Sequence, residues 1–154
     1  MKFVVTILFL MLTESLYATT ASLPPSCTPI AIEGESLMLS AQKASLVMIH
    51  NLSPADLWLT HPVSENNASA GWSSQLKADS WSALALDKEG FEITCIESKP
   101  GHEQQVPCTG LITACKWSEI TLPNRASNTY WAGENMKLAN LLAYLGGHGF
   151  VLSQ

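Results

Sequence analysis

Short apolar runs, separated by turn-forming residues, restrict the fold of this 154-residue chain more than any other feature. Between Ile30 and about Thr121 the sequence keeps returning to such runs, and Gly, Pro, Asn or Ser interrupts them. Runs of this length are typical of β-strands, since a strand needs only about 4 to 8 residues. The predicted strands are residues 37–39, 46–50, 57–60, 72–76, 81–86 and 91–95.

The last of these runs has the clearest strand pattern. Phe91, Ile93 and Cys95 alternate with Glu92 and Thr94, so a strand places the three apolar side chains on one face. Strands that recur about every eight to twelve residues, with Gly and Pro between them, favour an antiparallel sandwich or barrel. Of the two, we expect the sandwich.

A helical pattern replaces the strand pattern near the C-terminus. The spacing of one helical face is carried by Leu138, Leu141, Leu142 and Leu145. Gly146 and Gly147 follow and are a helix-ending signal, after which residues 150–152 form either an edge strand or a short tail. The predicted fold class is therefore mostly β, an antiparallel β-sandwich with one C-terminal α-helix.

Four cysteines predict a fold stapled by two disulfides. Cys27, Cys95, Cys108 and Cys115 allow three pairings, and sequence alone does not choose among them. We favour Cys95 with Cys108, because they flank a turn at residues 98–101 and would clamp a hairpin, which leaves Cys27 for Cys115. The spacing lacks the two close cysteine pairs of a zinc ribbon and the His and Met of a blue-copper site. No metal or other cofactor is expected.

The N-terminus has the pattern of a secretory signal peptide. Lys2 precedes an apolar run of about ten residues, about half the length that a bilayer-spanning helix needs. Thr19 and Ala21 provide the small residues of a cleavage site. We expect a signal peptide at residues 1–21 and one exported β-rich domain at 22–154, without an integral membrane segment. The destination is the periplasm, the cell envelope or the medium, where disulfides form.

Composition excludes two classes of protein. Hydrophobic residues make up 47% of the chain and charged residues 14%, whereas disordered chains are poor in apolar residues. The formal net charge is −5, which argues against nucleic acid as a partner.

Candidate catalytic residues are few. No GxSxG motif is present, and the scattered histidines are His50, His61, His102 and His148. No catalytic residue is assigned, and the chain is expected not to be an enzyme. One alternative stays open, because Glu33 and Glu35 would point the same way on a strand, as the paired carboxylates of a glycan hydrolase do.

Five tryptophans are many for a domain of this size. Trp58 and Trp117 lie inside apolar runs and are expected in the core. Trp72, Trp81 and Trp131 have small or polar neighbours, so we expect them to reach a surface and to form a binding face. Loops at residues 64–71 and 98–107 are expected to complete that contact surface.

Several segments resemble one known family. The segments are AIEGESLMLSAQK at 31–43, HNLS at 50–53, HPVS at 61–64, AGWSS at 70–74, WSALAL at 81–86, ESKPGHEQQ at 97–105 and WAGENM at 131–136. Together they resemble the enhanced entry protein EnhB family over essentially the whole predicted mature domain.

The resemblance implies a small exported protein of intracellular Gram-negative bacteria, from a locus linked to host-cell entry. It implies no enzyme activity. It also implies a candidate partner, a larger exported solenoid-repeat protein from the same locus. The expected function is thus protein–protein interaction at the envelope. An envelope carbohydrate- or peptidoglycan-binding domain, with two of the less buried tryptophans on one face, and the glycan hydrolase are the alternatives.

Overall fold

Strands hold most of the residues that the computed structural model describes, namely 22–62, 72–86, 90–99, 101–117, 120–121, 123 and 129–152. The first strands in chain order are β1 (Thr28–Ile30), β2 (Ser36–Ser40), β3 (Ser45–Asn51), β4 (Leu57–His61), β5 (Trp72–Leu76) and β6 (Trp81–Leu86). They are followed by β7 (Gly90–Lys99), β8 (His102–Val106), β9 (Ile112–Trp117), β10 (Ile120–Thr121), β11 (Tyr130–Met136), α1 (Leu138–Gly147) and β12 (Val151–Leu152).

Two five-stranded sheets form the sandwich. The first sheet has the strand order β1-β9-β3-β6-β11. The second has the order β2-β7-β4-β5, and β8 pairs with the end of β7. Every pairing between these strands is antiparallel. The predicted antiparallel β-sandwich with a C-terminal helix is confirmed.

Alternation along each strand builds the core between the sheets. In the second sheet Leu57, Leu59 and Ile93 are buried inward, while the residues between them face outward. The first sheet contributes Val47 and Leu84 to the same apolar cluster. Phe91, Ile93 and Cys95 all lie in this cluster, as their spacing predicts.

A second apolar cluster covers the outer face of the first sheet. Leu141 and Leu145 of α1 pack with Trp117, Phe150 and the disulfide of Cys27 in this cluster. The helix approaches β11 so closely that a Cβ atom at Gly133 would lie 2.5 Å from Leu141 Cδ1. The first sheet is therefore sandwiched between two apolar layers, and all residues of β3 and β6 are buried.

The helix ends at the predicted glycine pair. Gly146 and Gly147 are the last two residues of α1, so the predicted end of the helix is confirmed. Just beyond it Gly149 holds the left-handed conformation (φ 86°), and the N–H groups of Gly149 and Phe150 donate to the carbonyls of Gly146 and Leu145. This is a Schellman motif, which turns the chain back toward the sheet. After it, residues 151–152 form β12, which pairs with β10.

Both predicted disulfides are present. Cys95 and Cys108 are joined within the core between the sheets, and both are fully buried. Cys27 and Cys115 are joined on the outer face of the first sheet, across 88 positions of sequence. No cysteine is free.

Asn135 of β11 joins one edge of the first sheet to the second. Its side-chain amide donates to the Gln75 carbonyl (2.8 Å), and its Oδ1 accepts from the Lys77 backbone N–H (2.7 Å). Asn135 has φ 56°, a left-handed conformation that Asn tolerates better than most residues. The edge strands β11 and β5 are thereby fixed to each other.

The segment predicted as a loop at 98–107 is largely strand. β7 runs to Lys99 and β8 begins at His102, so the two form a hairpin whose turn includes Gly101. The predicted signal peptide (1–21) and the predicted loop 64–71 lie outside the described residues. Within the described residues, no helix has the length and apolar character that crossing a membrane requires.

Candidate functional site

The structure separates the three tryptophans predicted to form a binding face. Trp81 is only 4% exposed, so the expectation that it reaches the surface is wrong: α1 and the N-terminal segment cover the face of β6 on which it lies. Trp131 is half-buried and packs against the core between the sheets. Trp72 belongs to β5, and its side chain lies outside what the structure describes.

The two tryptophans expected in the core also differ. Trp117 is 4% exposed and belongs to the cluster beneath α1. Trp58 is half-buried on β4 between the inward-facing Leu57 and Leu59, so it lies on the outer face of the second sheet. The core assignment of Trp58 is wrong, because this sheet face has no apolar layer over it among the described residues.

The carboxylates of the hydrolase alternative lie at the surface. Glu33 and Glu35 flank Gly34 in the exposed turn before β2, rather than on a strand. Neither residue lines the cleft described next. This arrangement does not favour the glycan hydrolase.

Three of the four histidines have local structural contacts. His61 stacks on Phe91 with ring centroids 4.0 Å apart and bonds through Nδ1 to the Glu92 carbonyl. His148 bonds through Nδ1 to the Tyr144 carbonyl and stacks on that ring. The third, His50, belongs to a cleft with other polar groups.

The cleft beside β3 and β6 has a volume of about 540 Å³. His50 stacks on Trp81, with centroids 4.4 Å apart and ring planes inclined by 3°. Its Nε2 lies 3.2 Å from Asp79 Oδ1, and Asp79 Oδ2 accepts a hydrogen bond from Lys137 Nζ at 2.5 Å. The remaining lining residues are Ser22, Leu52 and Leu138.

Burial and neighbouring charge shift two groups of this cleft in the same direction. Burial lowers the pKa of His50 more than its contacts with Asp79 raise it. The hydrogen bonds from Lys137 and His50 hold the pKa of Asp79 below its usual value. At neutral pH the cleft therefore contains a neutral imidazole beside an ionised carboxylate and an ammonium group.

His50 offers one free hydrogen-bonding position to this cleft. Since a carboxylate only accepts, the neutral His50 donates from Nε2, which leaves the buried Nδ1 as an acceptor without a hydrogen-bond partner. The Ser22 hydroxyl lines the cleft but does not bond to Nδ1, so no nucleophile is paired with a base. In the described ranges no group of three or more acidic, histidine or cysteine side chains could hold a metal ion.

The outer face of the second sheet is the other candidate, and we call it the open face. Its outward residues are Ser36, Met38, Ser40, Trp58, Thr60, Ser73, Gln75, Glu92, Thr94, Ile96, Glu103 and Gln105. All except the 64% exposed Met38 are either half-buried by their neighbours or polar and exposed. The open face therefore presents side chains to solvent across the full width of the sheet.

Strand register arranges the open face in rows. One row runs Gln105, Ile96, Trp58, Gln75 across β8, β7, β4 and β5. The neighbouring row runs Ser36, Thr94, Thr60, Ser73, and its central hydroxyl oxygens lie 2.6 Å apart. An indole between an isoleucine and an amide thus lies beside a line of hydroxyl groups.

Comparison with known proteins gives no relative. The chain matches no protein-family model, no curated protein and no solved structure. The resemblance to the EnhB family stays a prediction from the sequence segments alone.

Sequence reasoning missed the open face, although one signal for it was present. In the run LWLTH of β4 the leucines at 57 and 59 alternate with Trp58 and Thr60. Alternate residues of a strand point to opposite faces. The polar Thr60 indicates that its face of β4 points outward, and Trp58 lies on that same face.

Proposed function

We propose that this chain is an exported, non-catalytic interaction module of the bacterial cell envelope, which supports host-cell entry through protein–protein contact. The observation that carries export is the pair of buried disulfides that uses every cysteine. Disulfides persist in oxidising compartments such as the periplasm and are rare in the cytosol. The predicted signal peptide and the EnhB resemblance support the same destination and role.

The contact surface in this proposal is the edge strand β8. Its first four residues are exposed, and within the described residues it pairs only with β7. The strand HEQQV contains none of the lysines or prolines that commonly protect a sheet edge against pairing. An exposed edge of this kind can accept an extended segment of a partner as an additional strand.

The disulfide next to β8 makes this edge rigid. Cys108 follows Val106 by two residues and is bonded to Cys95, which is the register partner of Val106. The hairpin is therefore joined to the core at its base, where Val106 also packs. A preformed edge lowers the entropic cost of adding a partner strand. The candidate partner is the exported solenoid-repeat protein that the EnhB resemblance implies.

The test is partner capture in living, secretion-competent Gram-negative cells. The full chain carries a C-terminal tag and a photo-crosslinking residue at Gln104, and crosslinked products are identified by mass spectrometry. A matched chain carries the crosslinker at Asn140, an exposed position on α1. We expect one exported protein at near-equal amount from the Gln104 position and none from Asn140.

A charge variant of the same edge is the control for specificity. The double substitution Glu103→Lys and Gln104→Lys places two cations on exposed positions of β8 and leaves the core unchanged. The crosslink, now from a probe at Gln105, is expected to disappear in this variant. A crosslink that survives, or an equal yield from Asn140, contradicts the assignment of β8. A chain that stays in the cytosol contradicts export.

A further inference from the structure

We propose that the open face of the second sheet binds an uncharged glycan chain, with Trp58 as the surface on which a sugar ring stacks. This site is the outer face of the sheet and shares Gln105 with β8, whereas the protein contact uses the backbone edge of β8, so it goes beyond the contact proposed above. It places glycan recognition on a tryptophan other than the three expected from the sequence.

Trp58 has the position that a stacking residue needs. β4 lies between β7 and β5, so Trp58 is central in the sheet and not at its edge. Its neighbours across the strands are Ile96 and Gln75, and both are half-buried beside it. An indole supported on both sides is held at the surface with little freedom to lose when a ligand binds.

The polar groups around Trp58 match sugar hydroxyls. Amide side chains of Gln75 and Gln105 each offer donors and an acceptor at the two ends of its row. Gln75 Nε2 is fixed 3.2 Å from Asp56 Oδ2. Thr60 and Thr94 add a pair of mutually bonded hydroxyls in the next row. A chain of sugars laid across the strands meets such groups at every strand crossing.

Charge on the open face selects among glycans. Among its described residues Glu92 and Glu103 are the charged side chains, both acidic, and Asp56 lies at its border in contact with Gln75. No lysine or arginine belongs to the face, and the chain as a whole carries a net charge of −5. The face therefore complements a neutral chain and repels a polyanion.

The same composition disfavours a protein as occupant. The cores of protein interfaces are rich in apolar and aromatic residues. Among the described residues the outward apolar side chains are Met38, Trp58 and Ile96, and hydroxyl side chains separate Met38 from the other two. Hydrogen-bonding groups thus dominate the open face.

The first experiment is a titration of the isotope-labelled mature chain (22–154) with a soluble chito-oligosaccharide, followed by NMR. We expect saturable shifts of the Trp58 indole N–H and of the Gln75 and Gln105 side-chain amides. Heparin, a polyanionic glycan, is the second probe and is expected to cause no such shifts. Shifts confined to the His50 cleft, equal binding of heparin, or no shift at millimolar oligosaccharide would overturn the proposal.

Variants separate stacking from folding. Trp58→Ala should weaken binding by about tenfold or more and Gln75→Ala by about three- to tenfold, since they remove the ring and one hydrogen-bonding group. Tyr144→Ala removes an exposed aromatic of α1 and should change nothing. Trp58→Phe keeps an aromatic ring and should restore part of the affinity. If Trp58→Ala binds as the unmodified chain does while staying folded, the assignment is wrong.

Failure of this proposal is distinguishable from failure of the protein contact. Trp58→Ala leaves the β8 edge intact, and the lysine variant of β8 leaves Trp58 and Gln75 intact. If Trp58→Ala abolishes the protein crosslink and leaves oligosaccharide binding unchanged, the open face belongs to the protein partner and not to a glycan.

Discussion

The outer face of the first sheet is covered, whereas the outer face of the second sheet meets solvent. On the first sheet, outward residues such as Leu46, Met48 and Ala83 are buried under α1 and the N-terminal segment. On the second sheet, outward residues such as Thr60 and Gln75 meet solvent. The strand sequences explain the difference. Both faces of β3 carry apolar side chains, whereas only one face of β4 is mainly apolar. A sheet with two apolar faces needs two cover layers, and one with a single apolar face keeps a surface free for function.

The two disulfides should differ most in what they contribute to stability. In the chain-entropy model, closing the loop of 88 positions between Cys27 and Cys115 contributes about 4.5 kcal/mol, and the loop of 13 positions between Cys95 and Cys108 about 3 kcal/mol. We expect the Cys27→Ala/Cys115→Ala pair to lose more free energy of unfolding in urea than the Cys95→Ala/Cys108→Ala pair. The reverse order would mean that the core cavity outweighs the loop.

The same substitution on both outer faces tests the comparison directly. Trp117→Ala, beneath α1, should lower the free energy of unfolding by about 3 to 5 kcal/mol. Trp58→Ala, on the open face, should lower it by only about 1 to 2 kcal/mol, because less of that ring leaves water on folding. Thermal and urea denaturation of the two variants measure this. Equal losses would show that the open face is covered after all.

The close contact of α1 with the first sheet can be tested at one glycine. Gly133→Ala places a methyl group 2.5 Å from Leu141 Cδ1, so either the buried Leu141 side chain or the helix must shift, at a cost of about 1 to 3 kcal/mol. Gly90→Ala is the matched control, since a Cβ atom there meets nothing within 4 Å, and should change stability by less than about 0.5 kcal/mol. A neutral Gly133→Ala would argue against tight packing of α1.

The smallest expected effect is a pH dependence at the margin of the covered face. Burial lowers the pKa of His50 below its usual 6.5, so between that value and the lowered one the unfolded chain binds more protons than the folded chain. Stability therefore falls as pH drops below about 6.5, until the buried ring itself is protonated. Asp79 and Lys137 are the charged groups that face it.

His50→Gln removes this group, and His148→Gln, at an exposed site, is its control. Urea denaturation at a series of pH values should give a shallower loss of stability on acidification for His50→Gln than for either the unmodified chain or His148→Gln. Parallel curves for all three would contradict a lowered pKa at His50.

Sequence patterns predicted the elements that carry apolar periodicity. The strands at 72–76 and 81–86 match β5 and β6, and the spacing of the leucines finds α1 from its first residue, Leu138. The pairing of Cys95 with Cys108 also followed from their position around a turn. In each case the signal lies within a few residues of chain.

Features that depend on distant segments were not predictable in this way. β8 is mostly polar and exposed, so it has no apolar periodicity and its sequence predicts a loop. The small polar neighbours Ser80 and Ser82 indicated a surface position for Trp81, but α1, more than fifty residues later, covers it. The cleft around His50 likewise unites residues from four distant segments.

The nested disulfides have a consequence for how the chain matures. A chain that crosses a membrane N-terminus first presents Cys27 to the oxidant, then Cys95, then Cys108 and finally Cys115, whereas the native bonds enclose the middle pair within the outer pair. Joining cysteines in their order of arrival would link Cys27 to Cys95 and trap a non-native bond. Thiol–disulfide exchange must then reshuffle it, a process of seconds to hours. If the chain is exported as proposed, a compartment that isomerises disulfides as well as forming them would correct such a bond.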